Sequence, residues 1–166
     1  MSKGYVWVVD DDSSIRWVMD KTLSSANIKC ETFADAESVL MALERETPDV
    51  LVSDIRMPGI DGIELLNRVQ QSAPELPVII MTAHSDLDAA VNAYQKGAFE
   101  YLPKPFDIDE TLTLVERAIT HSQEQKALLA VTIRLRQKRQ RSSVKPLRCR
   151  KCFALSAASL ALLSRF

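Results

Sequence analysis

What this chain lacks narrows its function first. It has only three cysteines, Cys30, Cys149 and Cys152. An odd number without framework spacing builds no disulfide scaffold and points to a reducing compartment, the cytoplasm. Cys149 and Cys152 form one C-x-x-C step, but no second pair follows, so a structural zinc site is not expected. No apolar run is long enough to span a membrane; the longest, Phe153 to Leu163, falls short. The opening MSKGYVWVVDDD turns acidic before it could serve as a signal peptide. The phosphate-binding pattern G-x-x-x-x-G-K-[ST] occurs nowhere. Acids are missing from the last part of the chain: all 22 lie at or before Glu124. The first 124 residues carry ten basic residues and net −12, whereas residues 125–166 carry eleven and net +11. Such asymmetry marks two segments of different nature, 1–124 and 125–166.

What is present is a rhythm. The run GYVWVVD (4–10) is apolar throughout and ends on acids, as a strand buried on both faces does. Ser13 or Ser14 can cap a helix whose apolar face is Ile15, Val18, Met19 and Leu23, and Asp11 or Asp12 could cap it instead, with Asp12 or Ser13 favoured. IKCETF (28–33) alternates as a short strand. DAESVLMALERE (35–46) is helical and cannot pass Pro48. DVLVSD (49–54) is a second buried strand. GIELLNRVQQS (62–72) is a helix with Ile63, Leu66 and Val69 on one face. PVIIMTA (77–83) is a strand, and SDLDAAVNAYQKG (85–97) a helix stopped by Gly97. AFEYLPKP (98–105) holds a strand. DIDETLTLVERAITHS (107–122) is a helix opened by acids, with a stripe at Ile108, Leu112, Val115 and Ile119. KALLAVTIRLR (126–136) can extend it. Five strand–helix steps predict an α/β fold, a parallel sheet wrapped by helices on both faces.

In such a fold, ligands sit at the carboxyl ends of the strands. Those ends carry Asp10, Asp11 and Asp12, then Asp54, then Thr82, then Lys104. Clustered carboxylates repel unless a cation lies between them. A hard divalent ion such as magnesium takes one or two carboxylates together with phosphate oxygens. A carboxylate beside it can act as nucleophile and form an aspartyl phosphate. Lys104 would then offer a charge to a phosphoryl oxygen, and Thr82 a hydrogen bond. His84 and His121, the only histidines, are not at strand ends, so zinc chemistry is not indicated. Singly, Asp54 reads as a turn acid and Thr82 as strand-end packing, while Lys104 could be a solvated lysine and Tyr101 a core ring. Together, at four strand ends, they read as a site. Trp17 has no derivable role.

VVDDD, SDIRMPGIDG, MTA and YLPKPF occur in the order and spacing of response-regulator receiver domains, which residues 4–121 resemble. The wording is nearer still to the nitrogen-regulation (NtrC-type) activators, through VWVVDDDSSIRWV, SDIRMPG and PVIIMTAHSDLDAAV. The resemblance implies a flavodoxin-like five-stranded sheet in the order 2-1-3-4-5. It implies that Asp54 accepts phosphate from a sensor histidine kinase. It implies magnesium as the cofactor, held by Asp11, Asp54 and the backbone carbonyl of Arg56, with Asp10 or Asp12 as the further acid; the choice between those two stays open. It makes Thr82 the switch hydroxyl, Tyr101 the aromatic that follows it, and Lys104 the phosphate contact, with a cis Lys104–Pro105 peptide. Dimerisation on phosphorylation is a further implication.

The implied function is a phosphorylation-dependent transcription regulator of the cytoplasm that turns over no external substrate. The alternative is a phosphohydrolase of the haloacid-dehalogenase kind, disfavoured because its nucleophile follows the first strand. The resemblance stops near Gln125, where the family continues into ATPase and DNA-binding domains. Residues 125–166 are expected to be a helix extension and then a disordered basic tail that binds neither nucleic acid nor membrane. With one choice of codons, RCRKCFALSAAS read one base earlier becomes AMQEVFRAIGRL, and SSVKPL becomes IIGEAP, text of the kind that opens the family's ATPase domain. Residues from about 131 onward are therefore expected to be an out-of-frame translation.

Overall fold

Short runs rich in valine, isoleucine and leucine form the three central strands, mixed runs form the two at the edges, and the amphipathic segments between them form the helices. The computed structural model describes residues 3–143. The strands are β1 (Tyr5–Val9), β2 (Lys29–Phe33), β3 (Val50–Asp54), β4 (Val78–Ala83) and β5 (Glu100–Lys104). They form one parallel sheet in the order β2-β1-β3-β4-β5, the order the resemblance implies. The helices are α1 (Ser13–Ser25), α2 (Ala36–Leu43), α3 (Gly62–Ser72), α4 (Leu87–Gln95) and α5 (Ile108–Ser143). A 3-10 turn, His84–Asp86, precedes α4, so the α-helix begins later than the sequence suggests.

Alternation along the strands divides the core in two. Val6, Val8, Val50, Val52, Ile79 and Met81 meet Met19 and Leu23 of α1 and Val115 and Ile119 of α5. Trp7, Val9, Leu51 and Ile80 point to the other face, with Val39 of α2 and Leu65, Leu66 and Val69 of α3. β2 lies at an edge and has no fully buried residue. On α5 the expected stripe shifts: Ile108 is exposed, Leu112 is half-buried, and Thr111, Leu114, Val115, Ala118, Ile119 and Ser122 are buried. Ile108 is the first residue of that helix, before it has run onto the sheet.

The chain divides into two units after Lys126. The first unit holds the sheet and its helices. Of the second, residues 127–143 are described: they are helical as the continuation of α5, and exposed through Arg139. The helix thus runs past its expected end near residue 136. Nothing between Pro105 and Pro146 is a glycine or proline, and Ala, Leu, Arg, Gln and Lys are good helix formers. The C-x-x-C step and the apolar run Phe153 to Leu163 lie outside the described residues.

Candidate functional site

β1 and β3 lie side by side, so their carboxyl ends deliver acids to one crevice. Asp10 is fully buried just beyond β1, and Asp54 is the last residue of β3. Burying carboxylates is costly unless they are partnered, and here β5 supplies the partner. Lys104 Nζ lies 2.9 Å from Asp10 Oδ2 and 3.2 Å from Asp54 Oδ1. Asp10 Oδ1 accepts from the backbone N–H of Asp12 at 2.9 Å, and its carbonyl accepts from Arg16 Nη1 at 2.6 Å. The strand end is thereby tethered to the first turn of α1.

Asp11 is exposed, and one carboxylate oxygen each from Asp10, Asp11 and Asp54 lie within 4.8 Å of one another. Asp12 stands apart as the N-cap of α1, accepting from Ser14 N at 2.8 Å. The geometry therefore sorts three consecutive acids: Asp10 and Asp11 join the cluster, and Asp12 caps. Three carboxyl groups face one ammonium. Burial pushes the Asp54 carboxyl above its ordinary pKa; Lys104 opposes this and Asp10 adds to it. Burial would lower Lys104, but its hydrogen bond and charge interactions with Asp10, and then those with Asp54, outweigh it and raise it. The donor set, all hard oxygens with excess negative charge, suits a divalent cation such as magnesium.

The remaining expected residues fall around this cluster. Thr82 is buried near the end of β4, and its hydroxyl donates to the carbonyl of Ala83 at 3.2 Å. Tyr101 is not a core ring: it is 42% exposed. With Leu87, Ala90, Val91 and Tyr94 it lines a cleft of about 460 Å³ between α4 and β5. Lys104–Pro105 is cis. In the loop after β3, Met57 is buried, Arg56 is exposed, and Gly59 has φ +83°. The Arg56 guanidinium pairs with Asp86, ahead of α4.

Three positions were not legible as site residues. Arg16 holds the Asp10 backbone. Gly62 comes so close to the acid's backbone that a Cβ there would lie 2.1 Å from the Asp54 carbonyl oxygen. Asp86 draws in the side chain of the β3 loop. A glycine closing the loop was the only sequence signal for any of them.

The family described as response regulator receiver domain matches residues 6–116. The chain belongs to that family. This receiver is 67% identical over 125 residues to the DNA-binding transcriptional regulator NtrC of Salmonella typhimurium, covering 75% of this chain and 27% of that protein. It is 40% identical over 122 residues to the transcriptional regulatory protein FixJ of Bradyrhizobium diazoefficiens, covering 74% of this chain and 60% of that one. A solution structure of the apo receiver domain of nitrogen regulatory protein C superposes with a TM-score of 0.68 at 67% identity, covering 74% of this chain and 99% of that one. This is a receiver of the NtrC type. It spans about a quarter of the length of the NtrC relatives it matches.

Proposed function

We propose that this receiver is switched by phosphorylation of Asp54 by a partner histidine kinase. The observation that carries this is the Lys104 ammonium set between Asp10 and Asp54. One carboxylate is thereby held at the mouth of a crevice beside a fixed cation. In the transfer, the P–N bond of a phosphohistidine breaks, an acyl phosphate P–O bond forms on Asp54, and the imidazole leaves. Asp10, Asp11, Asp54 and the Arg56 carbonyl would hold the magnesium that receivers of this family bind at their acidic pocket. The ion supplies neutralisation of the charge building on the phosphoryl oxygens. Lys104 turns its ammonium from the carboxylates to a phosphoryl oxygen. Thr82 exchanges the Ala83 carbonyl for another, and Tyr101 repacks over the cleft it lines.

The output is a shift between two states of the face made by α4, β5 and α5, with dimerisation as one readout. The domain turns over no external substrate; the phosphohydrolase alternative finds no support among the similar proteins. Among the described residues no helix is long and apolar enough to cross a membrane, and a cytoplasmic location fits the odd cysteine count. Residues 1–124 form the receiver. Residues from about 131 onward are, in this reading, out-of-frame sequence.

Mass spectrometry after incubation with acetyl phosphate and magnesium tests the site. The expected result is one acid-labile phosphoryl group, absent in Asp54→Asn. Uptake by that variant at the wild-type level would move the acceptor to another acid.

A further inference from the structure

Each of the five helices begins at an aspartate: Asp12, Asp35, Asp61, Asp86 and Asp107. Four of these carboxylates accept a backbone N–H of the first turn, from Ser14, Ser38, Glu64 and Asp109, at 2.7–2.9 Å. Asp86 is the exception. It occupies the N-cap position of α4 without a side-chain capping bond, and its φ and ψ of −114° and 26° depart from the extended backbone of Asp12, Asp35 and Asp61. Its carboxylate is spent on the guanidinium of Arg56.

Arg56 stands two residues beyond Asp54, in the loop that shapes the acid cluster. Its side chain is 74% exposed, whereas that of Asp86 is 10% exposed. An ion pair with so exposed a partner is worth little, and a cap is worth as much or more. The two arrangements of Asp86 are therefore close in free energy. α4 is also lightly held, with only Ala90 and Ala93 buried. A small bias at its first turn can decide its state.

We propose that Asp86 is a two-partner switch. It holds Arg56 while Asp54 is unmodified, and it caps α4 through the N–H groups of Asp88 and Ala89 once phosphorylation rearranges the loop. This rests on the phospho-acceptor reading and supplies a route from Asp54 to α4. When the backbone around Arg56 turns toward the phosphorylated site, the guanidinium is drawn off and Asp86 is released.

The test is amide hydrogen exchange by NMR on the full chain. In metal-free protein, Arg56→Gln should slow exchange at Asp88 and Ala89 by about five-fold, the size of one cap. Asp86→Ala should show no slowing, and adding Arg56→Gln to it should change nothing. In wild-type protein, beryllium fluoride with magnesium should produce the same slowing as Arg56→Gln. Unchanged or faster exchange in Arg56→Gln overturns the switch, as does slowing that persists in the double variant. Slowing in Arg56→Gln with none on beryllofluoride addition overturns its link to Asp54, provided acetyl phosphate still labels that residue. If Asp54 takes no phosphoryl group, the phospho-acceptor reading fails, and the metal-free comparison still decides the exchange of partners.

Discussion

Helices α3 and α4 leave adjacent strands on the same side of the crevice, yet they are built differently. α3 buries Leu65, Leu66 and Val69, is capped by Asp61, and starts at Gly62 against the Asp54 backbone. α4 buries only two alanines, lacks a side-chain cap, and leaves Leu87, Val91 and Tyr94 more than half exposed. Large buried side chains and a satisfied first turn give α3 a single deep minimum. Small buried side chains give α4 little to lose when it shifts. The site thus has a fixed wall, which positions the nucleophile, and a loose one, which can report on it.

The contrast breaks if both helices respond alike to truncation of an aliphatic side chain. Leu66→Ala empties a fully buried position and should cost about 3 kcal/mol by urea denaturation. Val91→Ala, at a side chain 57% exposed, should stay within about 0.5 kcal/mol and leave phosphoryl uptake unchanged. A comparable loss from both would mean that α4 is as firmly seated as α3.

Much of the fixed wall was legible in the sequence because it is local. Each buried strand is an apolar run, and each run ends on the group that matters: Asp10, Asp54, Thr82 and Lys104. What could not be read depends on where chains cross. The sequence offers Asp12 or Ser13 as the cap of α1, but three consecutive acids do not reveal that Asp10 turns inward; only the approach of Lys104 from β5 selects Asp10. Tyr101 could be read as a core ring or as the aromatic beside the switch; it is 42% exposed in the cleft it lines with α4. The apolar stripe of α5 could be phased from Ile108, but the sheet covers the helix only from Thr111. Nothing near Asp86 in sequence announces its pairing with Arg56.

A smaller effect sharpens the electrostatic side of the fixed wall. Burial raises the Asp54 carboxyl, and Lys104 only partly offsets it. A carboxyl whose folded-state pKa lies above its unfolded value contributes stability that is fully present below the unfolded pKa and lost as pH rises through the folded one. Asp54→Asn has no such group. In chelator, the variant should therefore be more stable than wild type near neutral pH, with the gap closing toward pH values below the ordinary carboxylate range. Magnesium should narrow the gap at neutral pH by stabilising the wild type alone. A variant less stable than wild type in chelator at neutral pH would show that pairing with Lys104 outweighs burial.

The smallest effect is expected where the fold has no use for the chain. The sheet is covered through Ser122, the last fully buried position of α5, and Lys126 still reaches Asp49 Oδ1 at 2.6 Å. Asp49 Oδ2 in turn accepts from the N–H of Tyr5 at 3.1 Å, so the base of α5, the loop before β3 and the start of β1 are joined. From Ala127 to Arg139 every residue is exposed. Attraction between a basic extension and a domain of net −12 acts over roughly 10 Å at 0.1 M salt and is largely screened there. Removing residues 127–166 while keeping Lys126 should move the melting temperature by no more than about 3 °C at moderate salt. Phosphoryl uptake at Asp54 should not change. At low salt a slightly larger loss is expected, because the screening is weaker. A drop of many degrees at both salts would mean that the extension is an ordered part of the receiver, and the out-of-frame reading would fall with it.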